Sequence, residues 1–474
     1  MRPIRNPKIG LVGLMATPWR GDKEGNYLNH SEAMLGLAQK LGFELHVVKD
    51  GVYSIDDAQK AASELAAWGA DFIILQASSF AAGNFVYPFA ALPSRLGIWA
   101  VPEGRPSSEG GLPLNSFTTL NLYNSIIRTY LTDYQQPVKW FFGHPGQPLV
   151  DDRLAVTVKA LRAIVNLQCA KIGLIGGVAP SFDNLIIDER RMRAKLGIEL
   201  VHIEFDEVLT RARHVDDDRA GMASKQIRST ADKFDTRQED ALEKSGRVYT
   251  ALEDLADSRG LDAVALSCWP RFQSDYHFAV CTVMGSLNSG GLIAACEGDV
   301  TSAAGMLSLH YMTGGDTVTL MDLATVDPAD DSILLWHCGP TAPELADEGG
   351  VQMQSLWLFD GQAGDSIGLH NNLKLKPGKA TVFGFSTDFS QMLVMDGTID
   401  NQKPSYIGSR GWMKSIRMNT QAVSVPEVIQ SLMVSGYQHH YPLAYGDLAE
   451  AALELGSWLK VSPIAVEPYT SYVK

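Results

Sequence analysis

Apolar positions in this chain fall into short continuous runs separated by longer stretches of helical period. Lys8-Ile-Gly-Leu-Val-Gly-Leu14, Phe43 to Val48 and Asp71 to Gln76 read as buried strands, with helices at Ser31 to Leu41 and Asp56 to Trp68 between them. Gly97 to Val101 and Lys139 to Phe142 continue the series. Strand and helix alternating at this spacing predict a doubly wound parallel sheet. A second unit of the same kind opens near Asp151, with a helix to about Asn166 and strands at Lys171–Gly177, Glu199–Glu204, Leu261–Ser267, Leu292–Cys296 and Thr317–Met321. Asp206 to Asp257 is highly charged and reads as a solvated helical pair. From about Glu348 the pattern shortens. Thr381–Phe385, Gln391–Met395 and the run around Ile416 read as strands joined by turns at Pro377-Gly378 and Asp396-Gly397, which predicts an antiparallel sheet. Helices at Pro426–Val434 and Asp447–Leu459 follow, with His439-His440 in the turn between them. The expected fold is α/β: two doubly wound parallel-sheet domains, residues 1–150 and 151–347, then an antiparallel β-rich domain, residues 348–474.

Composition narrows the function classes. The 474 residues exceed one ordinary core, and the 45% hydrophobic and 20% charged fractions are those of a globular protein. A net charge of −14 argues against nucleic acid and anionic membrane surfaces, since both demand a basic footprint. No apolar stretch approaches the roughly 18–20 residues of a membrane span. No apolar signal region follows the basic start. Five scattered cysteines without CxxC spacing suit reduced thiols in a cytoplasmic protein.

The chemistry gathers where strands end. The run from Leu292 to Cys296 delivers Glu297, and a helix follows with Ala303, Met306, Leu307 and Tyr311 on one face, ended by Gly314-Gly315. The next two strands, Thr317–Met321 and Ser332–Trp336, deliver Asp322 and His337. Two carboxylates and an imidazole at successive strand ends can converge on one divalent cation beyond the edge of an open sheet. Trp269, after Cys268, is either a sugar-stacking platform or a core residue. The long loop Pro102 to Ser116 carries Glu103, Arg105 and Asn115, as contacts or as plain surface. Gly173-x-x-Gly176-Gly177 lacks the G-x-G-x-x-G spacing of a dinucleotide site.

The Ala-Cys-Glu-Gly-Asp run at 295–299, Asp322 and the Leu-Trp-His-Cys-Gly run at 335–339 resemble the L-fucose isomerase and L-arabinose isomerase superfamily of metal-dependent aldose–ketose isomerases. Gln438-His439-His440, followed by Gly446 and a helix, resembles the place where L-fucose isomerases carry a metal-binding His six residues before a Gly, which implies His440 rather than His439. His337 resembles an extra metal-site His of arabinose isomerases. The resemblance implies Glu297 and Asp322 as the acid–base pair, and Glu297, Asp322, His440 and His337 around a cation. By ligand type that cation is Mn²⁺, with Mg²⁺ or Co²⁺ as alternatives. It also implies a homo-oligomer, hexamer or trimer, in which Trp19, Arg20 or the 102–116 loop reaches a neighbour's site. Superfamily substrates differ at carbon 6, and the expected sugar is of 6-deoxyhexose type, sulfoquinovose or L-fucose. A sulfonate calls for Arg donors, and Arg20, Arg105 and Arg410, the last beside Trp412, stand in candidate loops. A sugar-binding module, or another divalent-metal carbohydrate enzyme such as an aldolase, uses the same residue types and stays open.

Overall fold

The computed structural model describes residues 2–106, 110–356, 358 and 368–473, so positions 107–109 of the long loop fall outside it. The chain forms two compact units, residues 5–165 and residues 1–4 with 166–474. In the first, strands β1 (Lys8–Leu14), β2 (Glu44–Val47), β3 (Phe72–Ala77), β4 (Arg95–Ala100) and β5 (Lys139–Phe142) make a wholly parallel sheet of order β2-β1-β3-β4-β5. Ile9, Leu11, Phe72, Ile73, Leu96 and Ile98 have no exposure, as strands covered on both faces require. The Ile55–Trp68 helix starts where Ser54 Oγ accepts the Asp57 N–H and ends at left-handed Gly69.

The second unit opens with β6 (Lys171–Ile175) and β7 (Glu199–Ile203), then a two-residue β8 (Lys233–Phe234), β9 (Ala263–Leu266) and β10 (Ile293–Ala295). Strands β10-β9-β6-β7 form a second parallel sheet in that order. The charged stretch from Asp206 is three helices rather than a solvated pair. The third, Glu239–Arg259, buries Leu242, Val248, Leu252 and Leu255, because its apolar residues recur at helical spacing beneath the charge.

The remaining strands are β11 (Val318–Asp327), β12 (Ser332–His337), β13 (Gln352–Ser355), β14 (Leu369–Lys374), β15 (Gly378–Phe385), β16 (Gln391–Asp400), β17 (Ser409–Met418), β18 (Gln421–Ala422), β19 (His440–Tyr445) and β20 (Ser462–Pro463). Six of them close a ring of antiparallel pairs, β11-β12-β17-β16-β15-β19 and back to β11. Met321, Ile333, Leu335, Val382, Leu393, Met395, Met413 and Leu443 fill its core. The architecture is thus parallel α/β followed by an antiparallel barrel.

Two expectations are corrected here. Strands β11 and β12 were expected in the second parallel sheet, but they belong to the barrel. Only four residues, Pro328 to Asp331, separate them, enough for a hairpin and too few for a parallel crossover. Asp396-Gly397 is no turn but lies inside β16, where pairing with β17 shifts register between Asp396 and Thr398. A Cβ at Gly397 would meet Lys414 O and Met413 Cγ at 2.7 Å, so the glycine serves a bulge with close backbone approach. Among the described residues no helix is long and apolar enough to cross a membrane.

In the 5–165 unit, buried His30 bridges two side chains. Its Nδ1 faces Gln76 Nε2 at 2.7 Å, its Nε2 faces His144 Nδ1 at 3.0 Å, and its ring stacks on Trp99. Burial, with His144 adding, pushes its pKa from the ordinary 6.5 down to about 4. Between those values the unfolded chain binds a proton that the folded chain does not, so stability falls as pH falls through that window. Scanning calorimetry of the whole protein should show the midpoint falling from pH 6.5 towards 4, and a shallower fall in His30→Gln. Parallel falls would contradict this assignment.

Candidate functional site

The site lies in the 166–474 unit, between the carboxyl edge of the second parallel sheet and one rim of the barrel. Past β10 the chain turns sharply, with Glu297 at φ +62° and Gly298 at φ +73°. A left-handed glutamate is uncommon, and such outliers cluster at functional sites. Three backbone hydrogen bonds impose the turn: Ala179 N–H to Glu297 O, Gly298 N–H to Leu266 O and Asp299 N–H to Cys296 O, at 2.9, 3.0 and 3.0 Å. A Cβ at Gly298 would lie 2.3 Å from Gly177 O, so only glycine fits. The Gly176-Gly177 pair read after β6 is the backbone against which this turn packs.

Asp299 follows, with no exposure, as the N-cap of the Val300–Thr313 helix. It accepts the Ser302 N–H at 2.9 Å and the hydroxyls of Thr301 and Ser302. Its Oδ2 also lies 2.9 Å from Nδ1 of His440, the first residue of β19. Burial raises the Asp299 pKa, but the His440 hydrogen bond and charge, helped by the two hydroxyls, hold it below the usual carboxylate value. A carboxylate on Nδ1 puts the imidazole proton there and leaves the Nε2 lone pair facing the site.

That Nε2 is 3.6 Å from Glu297 Oε2 and 3.8 Å from Asp322 Oδ1. His439 Nε2 is 3.1 Å from the same Glu297 oxygen. The ligand atoms of Glu297, His439 and His440 lie within 4.8 Å of one another, as do those of Asp322, His337 and His440. Asp322 Oδ1, His337 Nε2 and His440 Nε2 are buried without a hydrogen-bond partner. Two such atoms, Asp322 Oδ1 and His440 Nε2, face each other beside Glu297, an arrangement a cation satisfies, and the mixed carboxylate and imidazole donors suit a divalent one. Burial pushes the Asp322 pKa up, against the nearby imidazoles of His337, His440 and His439. The hydrogen bond to Glu297 raises that of His439 against its burial.

The structure places the expected residues unevenly. Glu297 stands beyond its strand end and His337 closes β12, but Asp322 lies mid-strand, fifth of ten residues in β11. Regularly paired with Trp336 and His440 on either side, it lines a cavity from the face of the sheet. His440 opens a strand rather than sitting in a turn. His337 Nδ1 accepts the Cys338 N–H at 2.8 Å, so in its neutral form the proton sits on Nε2. Trp269 is 40% exposed, not a core residue, and lines a cavity of about 340 Å³ with Glu297. A second cavity, of about 650 Å³, is lined by Asp322 and His439.

Arg410 of β17 is paired with Trp336 of β12, in the row His440–Asp322–Trp336–Arg410 that four strands set side by side. Its Nη1 donates to Gly408 O at 2.6 Å and to Asn372 Oδ1. Trp412 is buried, donates to Pro404 O at 3.0 Å and lies under Lys403, outside both cavities' linings. Arg20, Arg105 and Asn115 belong to the 5–165 unit. There both arginines are exposed, and left-handed Asn115 precedes the Ser116–Thr129 helix with its N–H on Glu103. Sequence reasoning missed Asp299 and His439. Asp299 carried a signal, an Asp three residues before Ser302 at a helix start, but that signal announces a cap and not its second partner.

Replacing Asp299 with Ala removes a cap and leaves the buried His440 Nδ1–H without an acceptor. A loss of about 1–3 kcal/mol is expected in urea unfolding. An unchanged midpoint would show that this carboxylate does not tie helix to barrel.

No family model matches the chain. Sulfoquinovose isomerase of Priestia megaterium (strain ATCC 12872 / QMB1551) is 27% identical over 425 residues, 86% of this chain and 89% of that protein. The proteins of the same name from Alkalicoccus urumqiensis and Clostridium sp. (strain MSTE9) are 25% identical over 415 and 380 residues, covering 84% and 77% of this chain and 86% and 79% of theirs. Among solved structures, a solute-binding protein from Agrobacterium vitis bound with alpha-D-tagatopyranose aligns at 14% identity over 65% of this chain and 90% of that one, with a TM-score of 0.18, too low to bear on fold or function. Matched along most of both chains by several proteins of one name, the chain is a relative of the sulfoquinovose isomerases and, by that relationship, an isomerase enzyme.

Proposed function

We propose that the protein is a metal-dependent aldose–ketose isomerase acting on a sugar of 6-deoxyhexose type, with sulfoquinovose preferred to L-fucose. The convergence of Asp322 Oδ1 and His440 Nε2, both buried and unpartnered, beside Glu297 carries this reading. Glu297, Asp322 and His440 would hold one divalent cation, Mn²⁺ by ligand type, with Mg²⁺ or Co²⁺ as alternatives. When bound, such a cation would supply Lewis-acid polarisation at the reacting end of the sugar. Aldose and 2-ketose differ by one proton moved between carbons 2 and 1 and one moved between their oxygens, by way of an enediol. Glu297 and Asp322 form the pair that carries those protons, a contribution of about 10²–10⁴-fold.

His439 donates to Glu297 and fixes that carboxylate. His337, with its proton on Nε2, presents an N–H to a sugar oxygen. Trp269 offers an exposed aromatic face on the Glu297 side. Arg410 lies two strands from Asp322 in one row, roughly 10 Å from backbone to backbone. Its guanidinium matches a sulfonate as it matches other oxyanions. The preference for sulfoquinovose is supported by the names of the relatives and by this arginine. The same reading carries a homo-oligomer, trimer or hexamer, to which Arg20 and Arg105 of neighbouring copies contribute.

Dialysis against a chelator should abolish interconversion of sulfoquinovose and its 2-ketose, and added Mn²⁺ should restore it. L-fucose should turn over more slowly, and Arg410→Ala should cost sulfoquinovose turnover alone. Full activity of the stripped protein would refute the metal reading. L-fucose turnover equal to that of sulfoquinovose and untouched by Arg410→Ala would refute the sulfonate reading.

A further inference from the structure

Four of the five cysteines meet in one place that the isomerase reading does not use. Cys268, Cys281, Cys296 and Cys338 are all free thiols and line the 340 Å³ cavity beside Glu297, whereas Cys169 is exposed elsewhere. They are paired in space. Cys268 Sγ and Cys296 Sγ are 3.0 Å apart, and Cys281 Sγ and Cys338 Sγ are 3.7 Å apart. The closer pair stands just beyond the ends of two neighbouring strands. Ala265 of β9 is level with Ala295 of β10, so Cys296 stands just beyond one strand and Cys268 two residues beyond the other. Cys296 is thus level with Leu266, and the chain leaving β9 carries Cys268 back to its side, which sets the two sulfurs 3.0 Å apart. Cys296 is nearly buried, while Cys268 is partly exposed in the cavity.

We propose that Cys268 and Cys296 are a modification site, a dithiol that hydroperoxides convert to a disulfide, and that this bond disables the adjoining Glu297. The chemistry balances in two steps. Cys268 sulfur attacks the peroxide, the O–O bond breaks, and the sulfur becomes a sulfenic acid while the thiol proton leaves with the departing oxygen as water or alcohol. Cys296 sulfur then attacks the sulfenic sulfur, the S–O bond breaks, and the hydroxyl leaves with the Cys296 proton as water. Two thiols lose two electrons and two protons, and the peroxide is the species reduced. A dithiol reductant reverses the change by exchange.

The effect reaches Glu297 through the backbone. Cys296 is its neighbour, and Cys296 O accepts the Asp299 N–H at 3.0 Å, closing the left-handed turn. Bond formation draws the sulfurs from contact to about 2.05 Å, a shift of the size that misplaces a reacting group. Displacement by about 1 Å costs on the order of 100-fold in rate. The link to turnover rests on the proposed role of Glu297. The link between the two sulfurs does not.

The test treats the full-length protein with hydrogen peroxide, blocks remaining thiols by alkylation, and follows turnover and peptide mass together. A peptide pair joining Cys268 to Cys296 is expected, with turnover falling about 100-fold and returning with dithiothreitol. The Cys268→Ser protein, compared with its own untreated activity, should resist the same dose. Absence of the linked pair, or a Cys281–Cys338 link in its place, would overturn the assignment of the site. A linked pair with unchanged turnover would overturn the coupling to Glu297. A protein without isomerase activity would refute the proposed function while leaving the mass measurement decisive for the dithiol.

Discussion

The contact between Asp299 and His440 joins the two halves of the site. Both side chains are fully buried, and a carboxylate in that position is costly unless its oxygens are satisfied. Asp299 spends one face on the N-terminus of the Val300–Thr313 helix and the other on an imidazole from β19. The helix thereby fixes the turn that carries Glu297, and the strand fixes His440 against Asp322. Remove the carboxylate, and each half remains but their register is undetermined. The pairing also sets the histidine's tautomer, which decides whether its inner nitrogen is a donor or a lone pair.

The surrounding geometry reads as two rigid frames meeting at this contact. The parallel sheet delivers Glu297 through a turn in which glycine at 298 is obligatory and Glu297 itself is left-handed. The barrel delivers Asp322 and His440 as directly paired residues of β11 and β19, and His337 from the end of β12. Side chains on paired strands are held more tightly than side chains on loops, as proton transfer between fixed carbon atoms requires. Asp322, paired on both sides, faces a cavity from the sheet surface.

Much of this is legible in the chain because local patterns encode local structure. Continuous apolar runs located the strands bearing Glu297 and His337, and turn residues bounded the helices between them. Partner choice is not local. The run before Asp322 is apolar whether it joins a parallel sheet or a barrel, and only the short hairpin to β12 distinguishes the two. Asp396-Gly397 carries the same letters as a turn, yet here the glycine relieves a close approach of β17. Asp299 reads as a helix cap, and its second partner lies 141 residues away, beyond any periodicity. The four thiols share no spacing and meet only because β9, β10, β12 and one helix start converge. His439 was passed over for its neighbour, since a tandem pair does not reveal which ring turns inward. Both do.

On the proposed reading, one cation would be held jointly by the parallel-sheet turn and the barrel, through Glu297, Asp322 and His440. Equilibrium dialysis with Mn²⁺, read as metal bound per folded chain, tests it without reference to any sugar. The account predicts one tightly bound ion in the native protein and none retained by a folded His440→Gln variant. Equal retention by native and variant protein would contradict it.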